Sequence, residues 1–266
     1  MKRSSFAALV ALIFVLPGLL LFGACSEPDE GAGPKAAIID QLYSLHPNQE
    51  FTAQMTELLE SHGFTVDLYQ GKQVDVKFYK ELPEYGYQLI IFRAHSGGMA
   101  LPTASGVMLK GATYLFTDEA YTEQKYVIEQ LDDQLLPAQI TKDYPNVFAI
   151  NSKFITESMK GTFNNTAIIM MGCSTTYLDD LAFSFFGKGA SVYLGWDGLV
   201  GAGYVDEATI YLAQRLLTDS LTIQEAAAST ITEKGADQHF GAVLRYYPQK
   251  TGPNTVQELI TGKGAK

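Results

Sequence analysis

The sequence predicts an α/β protein whose mostly parallel sheet is wound with helices on both faces. Three observations predict it. Short, wholly apolar runs bounded by turn residues alternate with longer amphipathic stretches. Runs of that kind fit strands buried on both faces, the condition of a parallel sheet, rather than half-exposed antiparallel ones. The chain has 266 residues, of which 47% are hydrophobic, enough to fill one α/β core.

The elements follow in order. The run KAAIIDQL (35–42) is expected as the first buried strand. In 48–63, Phe51, Met55, Leu58 and Leu59 fall on one helical face, and Gly63 closes the helix. FTVDLY alternates as a strand, and QVDVKFYKEL, which also alternates, is read as another. YQLIIFRAH (87–95) is a second buried run. GVMLKGATYLFTDE (106–119) reads as a hairpin turning near Lys110-Gly111. YTEQKYVIEQLDDQL is amphipathic and expected to be helical. VFAI is a short strand or turn before the segment SKFITESMKG. TAIIMMG (166–172) is a third buried run, followed by a helix in YLDDLAFSFFGKG and the strand ASVYLGW. Helices near 203–218 and 222–234 and a last strand, AVLRYY, complete the pattern. Parallel strands joined by helices keep their ligands at the strands' carboxyl ends.

Two segments flank this domain. The opening, MKRSSFAALVALIFVLPGLLLFGACSEPDE, has a basic start, an apolar core and small residues ahead of Cys25, which marks an export signal. Its LFGAC ending resembles the bacterial lipobox, which implies cleavage after Ala24 and lipidation of Cys25. An uncleaved anchor is the alternative, since about 18 apolar residues can span a bilayer. Under the first reading, residues 1–24 are removed and 25–35 form a flexible Pro/Gly-rich tether. The domain then covers 36–248 and a tail 249–266, on the outer face of the cytoplasmic membrane. The net charge of −10 argues against nucleic acid or anionic lipid as partners. There is no zinc-type Cys/His spacing and no phosphate-binding glycine loop, so neither a metal nor another cofactor is expected.

With Cys25 lipidated, Cys173 has no partner in its own chain, although exported compartments are oxidising. A lone thiol there is either buried and inert or retained for its reactivity. Its position favours reactivity: LIIFRAHSGG ends an apolar run in His95, and AIIMMGCST ends one in Cys173. If those strands are parallel neighbours, both side chains emerge at one sheet edge. Histidine can take the thiol proton and return it to a leaving amine, and the thiolate is the nucleophile. A helix starting after Cys173 would favour the thiolate further.

The order and context of these motifs resemble the caspase–gingipain–legumain clan of cysteine peptidases, especially its CHAT-type and gingipain-like members. LAFSFFGKGASVYLGWDGLV, LTIQEAAAST and HFGAVLRYYP resemble segments that follow the nucleophile there, so the likeness runs over about 36–248. The resemblance implies a caspase-like three-layer α/β/α sandwich, His95 as general acid/base, Cys173 as nucleophile and a polypeptide substrate. It implies an oxyanion hole of backbone amides, one from Cys173 and one from the residue after the histidine. This chain has Ser96-Gly97 where the family has glycine, so either amide is a candidate. Trp196 and Asp197 stand near the family's P1-reading region, which implies a pocket for a basic side chain; a surface Asp beside a core-edge Trp is the plainer reading. Two rivals remain at this stage. A DJ-1 or amidotransferase-like elbow would use His239 as Cys173's partner, and a lipid-anchored interaction module would keep the fold without turnover. His46 and His62 read as surface residues.

Overall fold

The run KAAIID forms β1 (Lys35–Asp40), in which all but Lys35 are buried. Asn48 then caps α1 (Gln49–Ser61) by accepting the Phe51 N–H, and Gly63 takes the positive φ that ends it. These and the remaining elements come from a computed structural model that describes residues 33–98 and 111–264. The export signal, Cys25, nearly all of the tether and the expected turn at Lys110 lie outside those residues. Among the described residues no helix is long and apolar enough to cross a membrane.

The chain continues through β2 (Thr65–Gln70), α2 (Val76–Glu81), β3 (Leu89–Arg93), β4 (Ser96–Gly97) and β5 (Tyr114–Ala120). It then forms α3 (Val127–Leu131), β6 (Leu135–Ala138), β7 (Val147–Ile150), α4 (Ser152–Glu157), β8 (Thr166–Met170) and α5 (Asp180–Gly187). Last come β9 (Ala190–Trp196), α6 (Ala202–Leu217), α7 (Ile223–Lys234), β10 (Leu244–Tyr247) and α8 (Val256–Ile260). Six strands form one sheet in the order β10-β9-β8-β3-β1-β2, parallel except for β10 at its edge. One face packs on α1, α6, α7 and α8 through residues such as Met55, Leu212 and Ile223. The other packs on α2, α4 and α5 through residues such as Tyr79, Phe154 and Phe185. The protein is therefore a three-layer α/β/α sandwich.

Four segments differ from expectation. Residues 73–82 alternate like a strand, yet 76–81 fold as α2, because the Asp75 carboxylate accepts the Phe78 N–H and nucleates a helical turn. Only 127–131 of the expected helix at 121–135 is helical. Leu135–Ala138 instead pairs with β7 in a second, four-stranded sheet, β4-β5-β7-β6. The segment after Cys173 is a run of turns, and α5 begins only at Asp180. Finally, 249–264 is not a loose tail: α8 is capped by Thr255 and buries Val256, Leu259 and Ile260 in the main core.

Candidate active site

β3 and β8 are parallel neighbours, with Phe92 opposite Met170 and the Met171 N–H donating to the Phe92 carbonyl at 2.8 Å. Three residues further along each strand stand His95 and Cys173, so the shared register carries both to the same level at the sheet's carboxyl edge. Both line one cavity of about 190 Å³, together with Leu42, His46, Met171 and Val200. Side chains alternate along a strand. Ile91 and Ile169 thus point to the α1/α6 face, and His95 and Cys173, just past the strand ends, share the cavity with Ala202 and Val205 of α6 on that face.

Beyond His95 the chain leaves the large sheet for the small one. The His95 carbonyl accepts the Phe116 N–H at 3.0 Å, and Ser96 and Gly97 pair with Leu115 and Tyr114. His95/Phe116 is thus a hydrogen-bonded pair, and alternation makes Ser96/Leu115 the non-bonded pair and Gly97/Tyr114 the next bonded one. The Gly97 amide faces β5, and the Ser96 amide is turned away from it. The Ser96 hydroxyl donates to the Cys173 carbonyl at 2.7 Å, which ties the two chain crossings together. Gly172 accommodates this closeness, since a Cβ there would collide with Ser96 Oγ and lie 2.8 Å from the Ala94 carbonyl oxygen. The buried Gln41 side chain accepts the His95 N–H at 2.8 Å and donates to the Thr117 carbonyl at 3.1 Å, bracing the histidine from β5.

The thiol is free and only partly exposed. The Val200 N–H approaches Sγ at 3.5 Å, and the thiol points to the Val200 carbonyl at 3.8 Å. Burial pushes the Cys173 thiol above its ordinary pKa; the Val200 backbone contact opposes this and the Asp237 charge adds to it. The expected helix N-terminus is not there to lower it. Ser174 adopts a left-handed φ of 57° and donates its N–H to the Gly198 carbonyl at 2.7 Å, which clasps the turn after the nucleophile against the loop after β9. Burial first, and then the charges of His46 and Arg93, push His95 down to about 4. Its buried Nε2 has no hydrogen-bond partner among the described residues. At neutral pH the pair is therefore a neutral thiol and a neutral imidazole, the imidazole holding a free acceptor or donor nitrogen.

Arg93, two residues before His95, is buried and fully engaged. Its guanidinium donates to Asp206 through Nε at 2.8 Å and Nη2 at 3.0 Å, and to Asp40 and the His46 carbonyl through Nη1 at 2.9 Å each. This cluster ties β1, β3, α6 and the His46 turn together beneath the cavity. Asp237, behind the cavity lining, plays a similar part by holding backbone amides. Burial alone would raise its carboxyl, but the N–H groups of Gly201, His239 and Phe240 hold it below the usual range.

The other sequence candidates lie elsewhere. Trp196 is fully buried in the main core and does not reach the cavity. Asp197 accepts the Val243 N–H at 2.8 Å and pairs with Arg245 at 3.0 Å, so its charge is spent holding β10. His239 is exposed and is not among the cavity's lining residues. His46 is exposed as well, but it borders the cavity, its ring 6.4 Å from that of His95. Gln41, Arg93, Val200 and Asp237 were not singled out in the sequence. A charge inside the apolar run LIIFR was the available signal for Arg93, since lone charges are almost never fully buried unless paired. Among the described residues no group of three or more His, Cys, Asp or Glu side chains could hold a metal. Compared with family models and with curated proteins, the chain matches none.

Proposed function

We propose that this protein is a caspase-like cysteine endopeptidase in which Cys173 attacks the scissile carbonyl and His95 moves the proton. The observation that carries the reading is the common cavity: two residues 78 positions apart, at one level of neighbouring parallel strands, share a single small space. The neutral His95 accepts the Sγ proton as the sulfur–carbon bond forms, then gives it to the leaving amine. Water, deprotonated by the same imidazole, then hydrolyses the thioester. Burial disfavours both ions in the empty site, so proton transfer accompanies attack instead of preceding it. Stabilisation of the oxyanion falls to backbone amides. The ladder parity supports Ser96, with Cys173, over Gly97.

The reading extends to place and partner. The basic, apolar and small-residue opening supports lipidation at Cys25 and a domain facing away from the cytoplasm, acting on polypeptides there. Because β1 begins at Lys35, a tether of the nine residues 26–34 would give it a reach of about 15–18 Å from the surface.

The test is hydrolysis of an unfolded protein substrate by the wild-type chain and by Cys173→Ala and His95→Ala. Loss of at least about 1,000-fold in both variants, with unchanged circular dichroism, supports the dyad. Equal turnover in wild type and Cys173→Ala would refute it. One observation favours a second reading, an interaction module without turnover: the raised thiol and the lowered imidazole both disfavour an ion pair. Absence of turnover in a folded wild-type protein would select it.

A further inference from the structure

The cavity that holds the dyad also has a chemical character of its own. Apart from His46 and the dyad itself, its walls are Leu42, Ala94, Gly172, Met171, Val200, Ala202 and Val205. Every nearby charge is already occupied. Arg93 is shared between Asp40 and Asp206, Asp237 accepts three backbone N–H groups, and Asp197 pairs with Arg245. Among the described residues no carboxylate lining the cavity is left to receive a lysine or arginine side chain. A volume of about 190 Å³ is below the 300–1,000 Å³ of sites for drug-sized ligands. It is of the order of the roughly 150 Å³ apolar cavity that takes one small guest, so it suits a single side chain.

The geometry points to this cavity as the specificity pocket for the residue on the acyl side of the scissile bond, selecting a small uncharged aliphatic side chain. The inference rests on the peptidase reading above and replaces the basic-residue pocket expected from Asp197. Its physical cause is desolvation: a lysine, arginine or aspartate side chain placed among these walls loses water without gaining an opposite charge. Ala202, the first residue of α6, is only partly buried, and its methyl group forms part of the wall, so side-chain length there sets the pocket's depth.

The experiment uses the full-length protein and tripeptidyl chloromethyl ketones that differ only in the residue next to the ketone. The Cys173 thiolate displaces chloride and forms a thioether, and mass spectrometry gives the rate. Alanine, valine and leucine reagents should label Cys173 at least about 30-fold faster than lysine, arginine or aspartate reagents. Fastest labelling by a basic or an acidic reagent, the latter pairing with His46, would overturn the inference, as would equal rates throughout. Ala202→Leu should slow the leucine reagent at least about 10-fold more than it slows the glycine reagent. Leu42→Ala, opening the opposite wall, should shift preference towards methionine and phenylalanine. If Ala202→Leu leaves the leucine rate unchanged in a protein of unchanged melting temperature, the pocket assignment fails. Peptide amides with the same residues separate the two claims. Selective labelling without hydrolysis sinks the peptidase reading alone, and hydrolysis without selectivity sinks the pocket alone.

Discussion

Replacing Gly172 by alanine should loosen the whole site. The new Cβ would collide with Ser96 Oγ, stand 2.8 Å from the Ala94 carbonyl oxygen and 3.0 Å from Ser96 Cβ. Two of these atoms belong to a serine held by its bond to Cys173, and the third is backbone of the strand leading to His95, so none can swing aside freely. Overpacking of this kind costs about 1–3 kcal/mol. Losing the Ser96–Cys173 hydrogen bond adds about 1 kcal/mol. Gly172→Ala should therefore lower unfolding free energy by about 2–4 kcal/mol in urea titrations followed by circular dichroism. Ser96→Gly removes two of the three colliding atoms, so the double variant should be more stable than the sum of the single effects by about 1 kcal/mol or more. A Gly172→Ala protein within about 0.5 kcal/mol of wild type would refute the argument. So would a double variant additive to within about 0.5 kcal/mol.

Three further outcomes are expected. Arg93→Met leaves Asp40 and Asp206 buried without their cation and should cost about 3–5 kcal/mol at pH 7. Burial already raises the Asp40 carboxyl, so that loss should shrink at pH 5, and an equal loss at both pH values would count against it. An ordinary histidine protonates near 6.5 and His95 near 4, so on acidification the unfolded chain takes the proton first. Stability present above pH 6.5 should then fall towards pH 4 by on the order of 3 kcal/mol, and His95→Gln should remove that part of the slope. With its thiol raised by burial, Cys173 should react with iodoacetamide at pH 7 more slowly than glutathione; a faster reaction would show a thiolate that this environment does not support.

The strands that carry the dyad were legible because both are short apolar runs, and apolar runs report burial directly. Their pairing as parallel neighbours followed from matching grammar alone. What the sequence concealed turns on one local cap and on contacts made across longer separations. QVDVKFYKEL alternates, but the deciding interaction is a single cap from Asp75 to Phe78. Residues 135–138 are a strand only because Val147–Ile150 lies beside them. The turn-rich chain after Cys173 is held by Trp196 and Gly198 carbonyls that receive Thr176 and Ser174 amides, which no local pattern signals. Asp197 is a residue for which the sequence left two readings open. Its place near the nucleophile strand's neighbour suggested substrate recognition, while its actual partners, Val243 and Arg245, lie some fifty residues on in a strand it helps to dock. Around His95 and Cys173, residue types did not reveal the ionisation, because burial and Asp237 act through space.

The Arg93 cluster has a consequence for the order in which the protein assembles. Arg93 and Asp206 are 113 residues apart in the chain, and contacts of such separation form late, after the entropy of closing the intervening loop has been met. His95 and Cys173 are both present in a chain that still lacks α6. The wall made by Val200, Ala202 and Val205 is not, nor is the carboxylate that satisfies Arg93. Completion of the reactive cavity is thereby tied to docking of a helix beyond residue 201. A chain still emerging from a ribosome would hold a histidine and a thiol without the shared cavity between them.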